Sequence, residues 1–92
     1  MTTDWLRPFH DRDWQKRHVW QHLVGGVVWA VLLSLSAPTA GLPALTRLYW
    51  VAVVQGVWER YQREYDPTYP AWSGVADWVL TVAGAALALL VL

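Results

Sequence analysis

Residues 75–92, VADWVLTVAGAALALLVL, hold eighteen residues and a single charge, Asp77. As a helix they rise about 27 Å at 1.5 Å per residue, close to the hydrocarbon thickness of a bilayer. A water-soluble chain of 92 residues rarely ends on such a run. Two earlier runs have similar character, at about residues 19–35 and 44–62. The expectation is an all-α integral membrane protein: a three-transmembrane-helix bundle over residues 18–92, preceded by a short interfacial segment over residues 1–17.

Composition agrees. Apolar residues are 55% of the chain and charged ones 15%, a balance that a small soluble fold cannot hide because it buries a limited share of its surface. Eight tryptophans fit a short protein with several membrane boundaries, where Trp and Tyr gather. With no cysteine, there is no disulfide framework, thiolate metal site or Cys nucleophile. A net charge of zero argues against a nucleic-acid partner. Residues 1–17 are rich in Asp and Arg and lack the apolar core of a signal peptide.

Along the chain, Pro8 interrupts the polar start, where Trp5, Leu6, Phe9 and Trp14 are the interfacial anchors. Ser36, Pro38, Gly41 and Pro43 end the first span with a short uncharged loop, so the first two helices are antiparallel neighbours. The second span has Arg47 at one end, placed to snorkel to the interface, and Glu59 at the other. Asp66-Pro67 and Tyr69-Pro70 read as turns, and Ser73 as the N-cap of the third helix. Arg7, Arg12, Lys16 and Arg17 precede the first span, Arg60 and Arg63 follow the second, and only Arg47 belongs to the other side. Basic loops stay cytoplasmic, which puts the amino terminus in the cytoplasm and the carboxyl terminus across the cytoplasmic (inner) membrane.

This topology brings polar residues to one depth on the cytoplasmic side. His18, His22, Gly25 and Trp29 share one helix stripe; Gln55, Glu59 and Gln62 share another; Asp77, Thr81 and Gly84 a third. Ionisable groups at membrane depth face the bundle interior and pair with one another. The candidate ligand-binding cluster is therefore His22, Glu59 and Asp77, with His18 and Gln62 beside it. Such groups can bind a headgroup, act as general acid and base, or relay protons. No cofactor is fixed by the residues; His18, His22, Glu59 and Asp77 are also acceptable zinc ligands. The plainer reading is a structural network, satisfied by water, Arg17 or Arg60, that sets helix register and depth. Ser73 and Thr81 read as a cap and a packing residue, so no nucleophile identifies an enzyme. Gly25-Gly26, Gly56, Gly84 and Ala85 let helices approach closely, within the protomer or in a homo-oligomer.

At these residues the chain resembles the VanZ-like group of small membrane proteins. The stretch Asp13-Trp14-Gln15-Lys16 stands where members carry an acidic-basic pair, and Trp20-Gln21-His22-Leu23 with Gly25 where they carry a histidine. Glu59 and Gln62, followed by Arg63, match a helix ending in Glu with Gln three on. Asp77, Thr81 and Gly84 match Asp, Asn four on and Gly seven on, with Thr in place of Asn. The acidic-basic pair is also out of register with the histidine. The resemblance implies a cell-envelope membrane protein marked at His22, Glu59 and Asp77; VanZ itself is associated with resistance to glycopeptide antibiotics. The leading functional expectation is recognition of a lipid or lipid-linked headgroup. The alternatives are a holin-like homo-oligomeric pore former and an accessory subunit with a membrane-protein partner.

Overall fold

The computed structural model describes residues 5–68 and 70–92. Among them every regular element is helical: α1 (Arg7–His10), α2 (Arg12–Leu35), α3 (Ala37–Ala40), α4 (Ala44–Tyr65) and α5 (Ala71–Leu89). The first helical span begins well before residue 19, because Asp11 caps α2. Its carboxylate accepts from the Trp14 backbone N–H at 3.1 Å, satisfying a donor that the first turn leaves open. At the far end Ser36 turns extended, and Pro38 opens the single turn of α3. Thr39 Oγ1 donates to the Leu33 carbonyl at 2.6 Å and holds that turn against α2. The residue before a proline avoids helical backbone, so α4 stops ahead of Asp66-Pro67. Pro70 starts α5 three residues ahead of the expected cap. Ser73 is therefore not an N-cap but a buried residue inside the helix.

Two helices, Arg12–Leu35 and Ala71–Leu89, are long and apolar enough to cross a membrane. The expected third span is not among them. α4 is long enough, but Arg47, Glu59, Arg60, Arg63 and Glu64 dilute its apolar character.

α5 packs chiefly on α2, then on α4. Hydrogen bonds join α2 to α5 between residues 59 apart at three successive steps of four: Trp14 to Ser73, His18 to Asp77 and His22 to Thr81. A constant difference means parallel helices. The row continues at Gly26, where an added Cβ would lie 2.7 Å from the Ala85 nitrogen. α4 runs the other way. Its start is tied to the end of α2 by Arg47, which donates to Ser34 Oγ and, at 3.1 Å, to the Leu42 carbonyl. Arg47 is thus buried, at 9% exposure, rather than snorkelling outward. Trp78 Nε1 donates to the Ala52 carbonyl at 2.7 Å, with its indole lying against Gly56.

The apolar core lies at the α3 end: Ala30, Val51, Ala85 and Leu89, with Trp29, Leu33, Leu48 and Ala88 against it. Trp29 packs there. The general distribution is inverted. Arg47, Gln55, Glu59, Ser73, Asp77 and Thr81 are buried, while Val24, Val28, Leu32, Leu45, Val57, Val79 and Leu87 are exposed.

Candidate functional site

The parallel α2–α5 row assembles the site. Trp14, His18 and His22 stand one turn apart on α2, and Ser73, Asp77 and Thr81 one turn apart on α5. Trp14 is buried, and its Nε1 donates to Ser73 Oγ at 2.9 Å. Its ring stacks on His18 at 4.8 Å between centroids and 7° between planes; His18 stacks on His22 at 5.8 Å and 6°. This column of parallel rings fixes where the imidazole nitrogens point.

They point at one carboxylate. His18 Nδ1 lies 3.0 Å from Asp77 Oδ1, and His22 Nε2 lies 3.3 Å from the same oxygen. Asp77 is 1% exposed, and a carboxylate taken so far out of solvent needs donors or a cation beside it. On its other side, His22 Nδ1 is 3.2 Å from Thr81 Oγ1, which in turn donates to the Asp77 backbone carbonyl at 2.9 Å. The ligand atoms of His18, His22 and Asp77 lie within 4.8 Å of one another, close enough to hold one metal ion. The arrangement can hold a cation, whether proton or metal, between two imidazoles and a carboxylate.

Of the residues singled out in the sequence, the structure brings His18, His22 and Asp77 together. Glu59 belongs to a second polar pair. It is 8% exposed, its Oε1 accepts from Gln55 Nε2 at 2.8 Å, and its Oε2 is buried with no hydrogen-bond partner among the described residues. It lines a groove of about 480 Å³ between α4 and α5, with Arg60, Arg63, Trp5, Val75 and Trp78. Gln62 lies in neither place; it lines a separate recess with Trp58, Tyr61, Tyr65 and Asp66.

Trp14, Ser73 and Thr81 complete the site, and sequence reasoning gave them other roles. The signal available was the spacing of four running Trp14, His18, His22, Gly26, Ala30, which differs from the expected stripe through Gly25 and Trp29. A Cβ on Gly25 would meet nothing within 4 Å among the described residues, whereas Gly26 is pressed against α5. Gly84, the last member of the expected α5 stripe, is pressed in the same way against the Leu23 backbone. No protein-family model, no curated protein and no solved structure matches this chain.

Proposed function

We propose that this chain is a three-span integral membrane protein, akin to the VanZ-like group, that binds a lipid or lipid-linked headgroup at the cytoplasmic face. The inverted distribution of side chains supports the membrane: apolar residues facing outward over most of α2 and α4 suit hydrocarbon, not water. Only 11% of the apolar stretch of α2 is buried, unlike the core helix of a soluble protein. The molecule is 46 Å long, near the roughly 40–45 Å of a whole bilayer. The parallel row supports a third crossing. If α2 and α5 both cross in the same direction, the chain between them returns, and α4, at about 33 Å for 22 residues, is the element with that reach.

The observation that carries the headgroup reading is the Glu59 Oε2 in the α4–α5 groove, buried with no partner among the described residues. A buried acceptor without a donor is costly, on the order of 1–3 kcal/mol, so a donor from outside the chain is favoured there. Beside it Arg60 and Arg63 suit a phosphate, and Val75, Trp78 and Trp5 offer apolar walls for an acyl or prenyl chain. A headgroup carrying both a phosphate and a hydroxyl or ammonium donor satisfies all three.

Native mass spectrometry of the protein released from mild detergent tests this. Wild-type chain is expected to retain one phospholipid or lipid-linked phosphate. Glu59→Gln keeps an oxygen for Gln55 but replaces the free acceptor with a donor, so retention is expected to fall at least tenfold without loss of fold. Equal retention by wild type, Glu59→Gln and Arg63→Gln sinks the reading. Large lipid-poor homo-oligomers would replace it with the holin-like pore.

A further inference from the structure

The groove does not use the α2–α5 site, and that site has a chemistry of its own. Thr81 has one hydroxyl proton, and it goes to the Asp77 carbonyl at 2.9 Å. Toward His22 Nδ1, 3.2 Å away, Thr81 Oγ1 is therefore the acceptor, and Nδ1 carries the hydrogen. In the neutral ring that leaves the lone pair on Nε2, the nitrogen facing Asp77 Oδ1 at 3.3 Å. A lone pair aimed at a carboxylate oxygen is repulsive unless a cation sits between them. This is the usual state of a metal-binding histidine: one nitrogen on the ion, the other N–H fixed by an oxygen of the surrounding shell.

From this we infer that His18 Nδ1, His22 Nε2 and Asp77 Oδ1 form a binding site for a divalent transition ion, Zn²⁺ being the best fit. Two imidazoles and one carboxylate are a zinc donor set that leaves a fourth position open. In a tetrahedral site with bonds of about 2.0–2.1 Å, ligand atoms are about 3.3–3.4 Å apart. The two nitrogen–oxygen separations here are 3.0 and 3.3 Å and the whole donor set lies within 4.8 Å, so the carboxylate is already placed and an ion would draw the two imidazole nitrogens toward each other. The stacked rings of Trp14, His18 and His22, anchored by the Trp14–Ser73 hydrogen bond, hold both imidazoles in place before an ion arrives. About a fifth of each histidine side chain is exposed, at 22% and 19%, which gives an ion a way in. Thr81 is the positioning residue, since it selects the His22 tautomer. The site stands whether or not the α4–α5 groove holds a headgroup.

The test uses the full chain in mild detergent, stripped by chelator and titrated with Zn²⁺ alone, read by calorimetry and native mass spectrometry. Co²⁺ is the spectroscopic probe. The expected result is one Zn²⁺ per chain, no competition from excess Mg²⁺, and visible Co²⁺ bands of a tetrahedral nitrogen–oxygen site. His22→Gln and Asp77→Asn are each expected to weaken Zn²⁺ binding more than a hundredfold. Thr81→Val, nearly the same shape, is expected to weaken it about tenfold. Because Asp77→Asn removes a buried charge and can misfold, Thr81→Val and the metal selectivity of the wild type decide the matter by themselves. A wild-type chain that takes up no Zn²⁺ at tenfold excess overturns the inference and leaves a proton as the cation between His22 and Asp77. Stoichiometric Zn²⁺ binding that is unchanged in both His22→Gln and Thr81→Val overturns it as well.

Discussion

Asp11 shows how much one side chain decides. It lies in the single residue between α1 and α2, caps the longer helix through the Trp14 N–H, and accepts from Arg7 Nε at 3.1 Å. The Trp14 hydrogen bond, and after it Arg7, hold its carboxyl below the ordinary value of 3.8. A carboxyl whose folded value is depressed contributes stability above its unfolded value and loses it as pH falls through the folded one. Asp11→Asn keeps a capping oxygen but cannot ionise. The melting temperature of wild type in detergent should therefore exceed that of Asp11→Asn at pH 6, and the gap should close as pH falls below 3.8 and through the depressed folded value. A gap that stays constant over that range would show that ionised Asp11 does nothing for the fold. Ser73 marks the limit of reading at this scale. Serine ahead of an apolar run is good cap chemistry, but Pro70 starts α5 earlier and carries the hydroxyl inside, where Trp14 uses it.

Between elements, the governing feature is contact along rows spaced by four. α2 and α5 approach so closely that two glycines have no room for a methyl group. A Cβ on Gly26 would meet the Thr81 carbonyl and come within 2.7 Å of the Ala85 nitrogen. One on Gly84 would meet the Leu23 carbonyl and come within 2.9 Å of its carbon. These neighbours are backbone, so the helices themselves would have to part. Gly26→Ala and Gly84→Ala should each cost about 1–3 kcal/mol or more and open the imidazole–carboxylate contacts nearby. Gly25→Ala, with open space around it, should gain about 0.5–1 kcal/mol from helix propensity alone. Thermal unfolding of the three variants in one detergent checks this, and equal effects at positions 25 and 26 would contradict the close approach. The rows themselves were legible, since His18 and His22, Gln55 and Glu59, and Asp77 and Thr81 each show the spacing. Which rows meet was not. That depends on the relative shift of α2 and α5, which the loops and the close contacts set and no local pattern records. Glu59 and Gln62 illustrate it: they fit one stripe on paper, yet only Glu59 is turned inward.

For the molecule as a whole, the all-helical class and two helices of membrane-crossing character follow from composition and run length, while α4 is too charged for hydropathy to judge. The missing cysteine makes the question directly testable. Single cysteines at Ser36, Thr68 and Leu92, all exposed, will be labelled on a background that cannot react. With three spans, an impermeant maleimide added to intact cells should label positions 36 and 92, and position 68 only after permeabilisation. Labelling of Thr68→Cys from outside would mean that α4 does not cross. The constant offset of 59 between α2 and α5 also bears on descent. It states which changes of length a lineage can keep. One residue inserted between Trp14 and His18 turns part of α2 by about 100° and takes Trp14 or both histidines out of the row. Four residues inserted there restore the face but slide the partners by one turn, offering Asp77 a different neighbour. At the exposed turn near Thr68, outside every helix, added residues leave all three polar pairs intact. Relatives of this chain should therefore differ in length at that turn and keep residues 14–26 and 73–85 free of insertions and deletions.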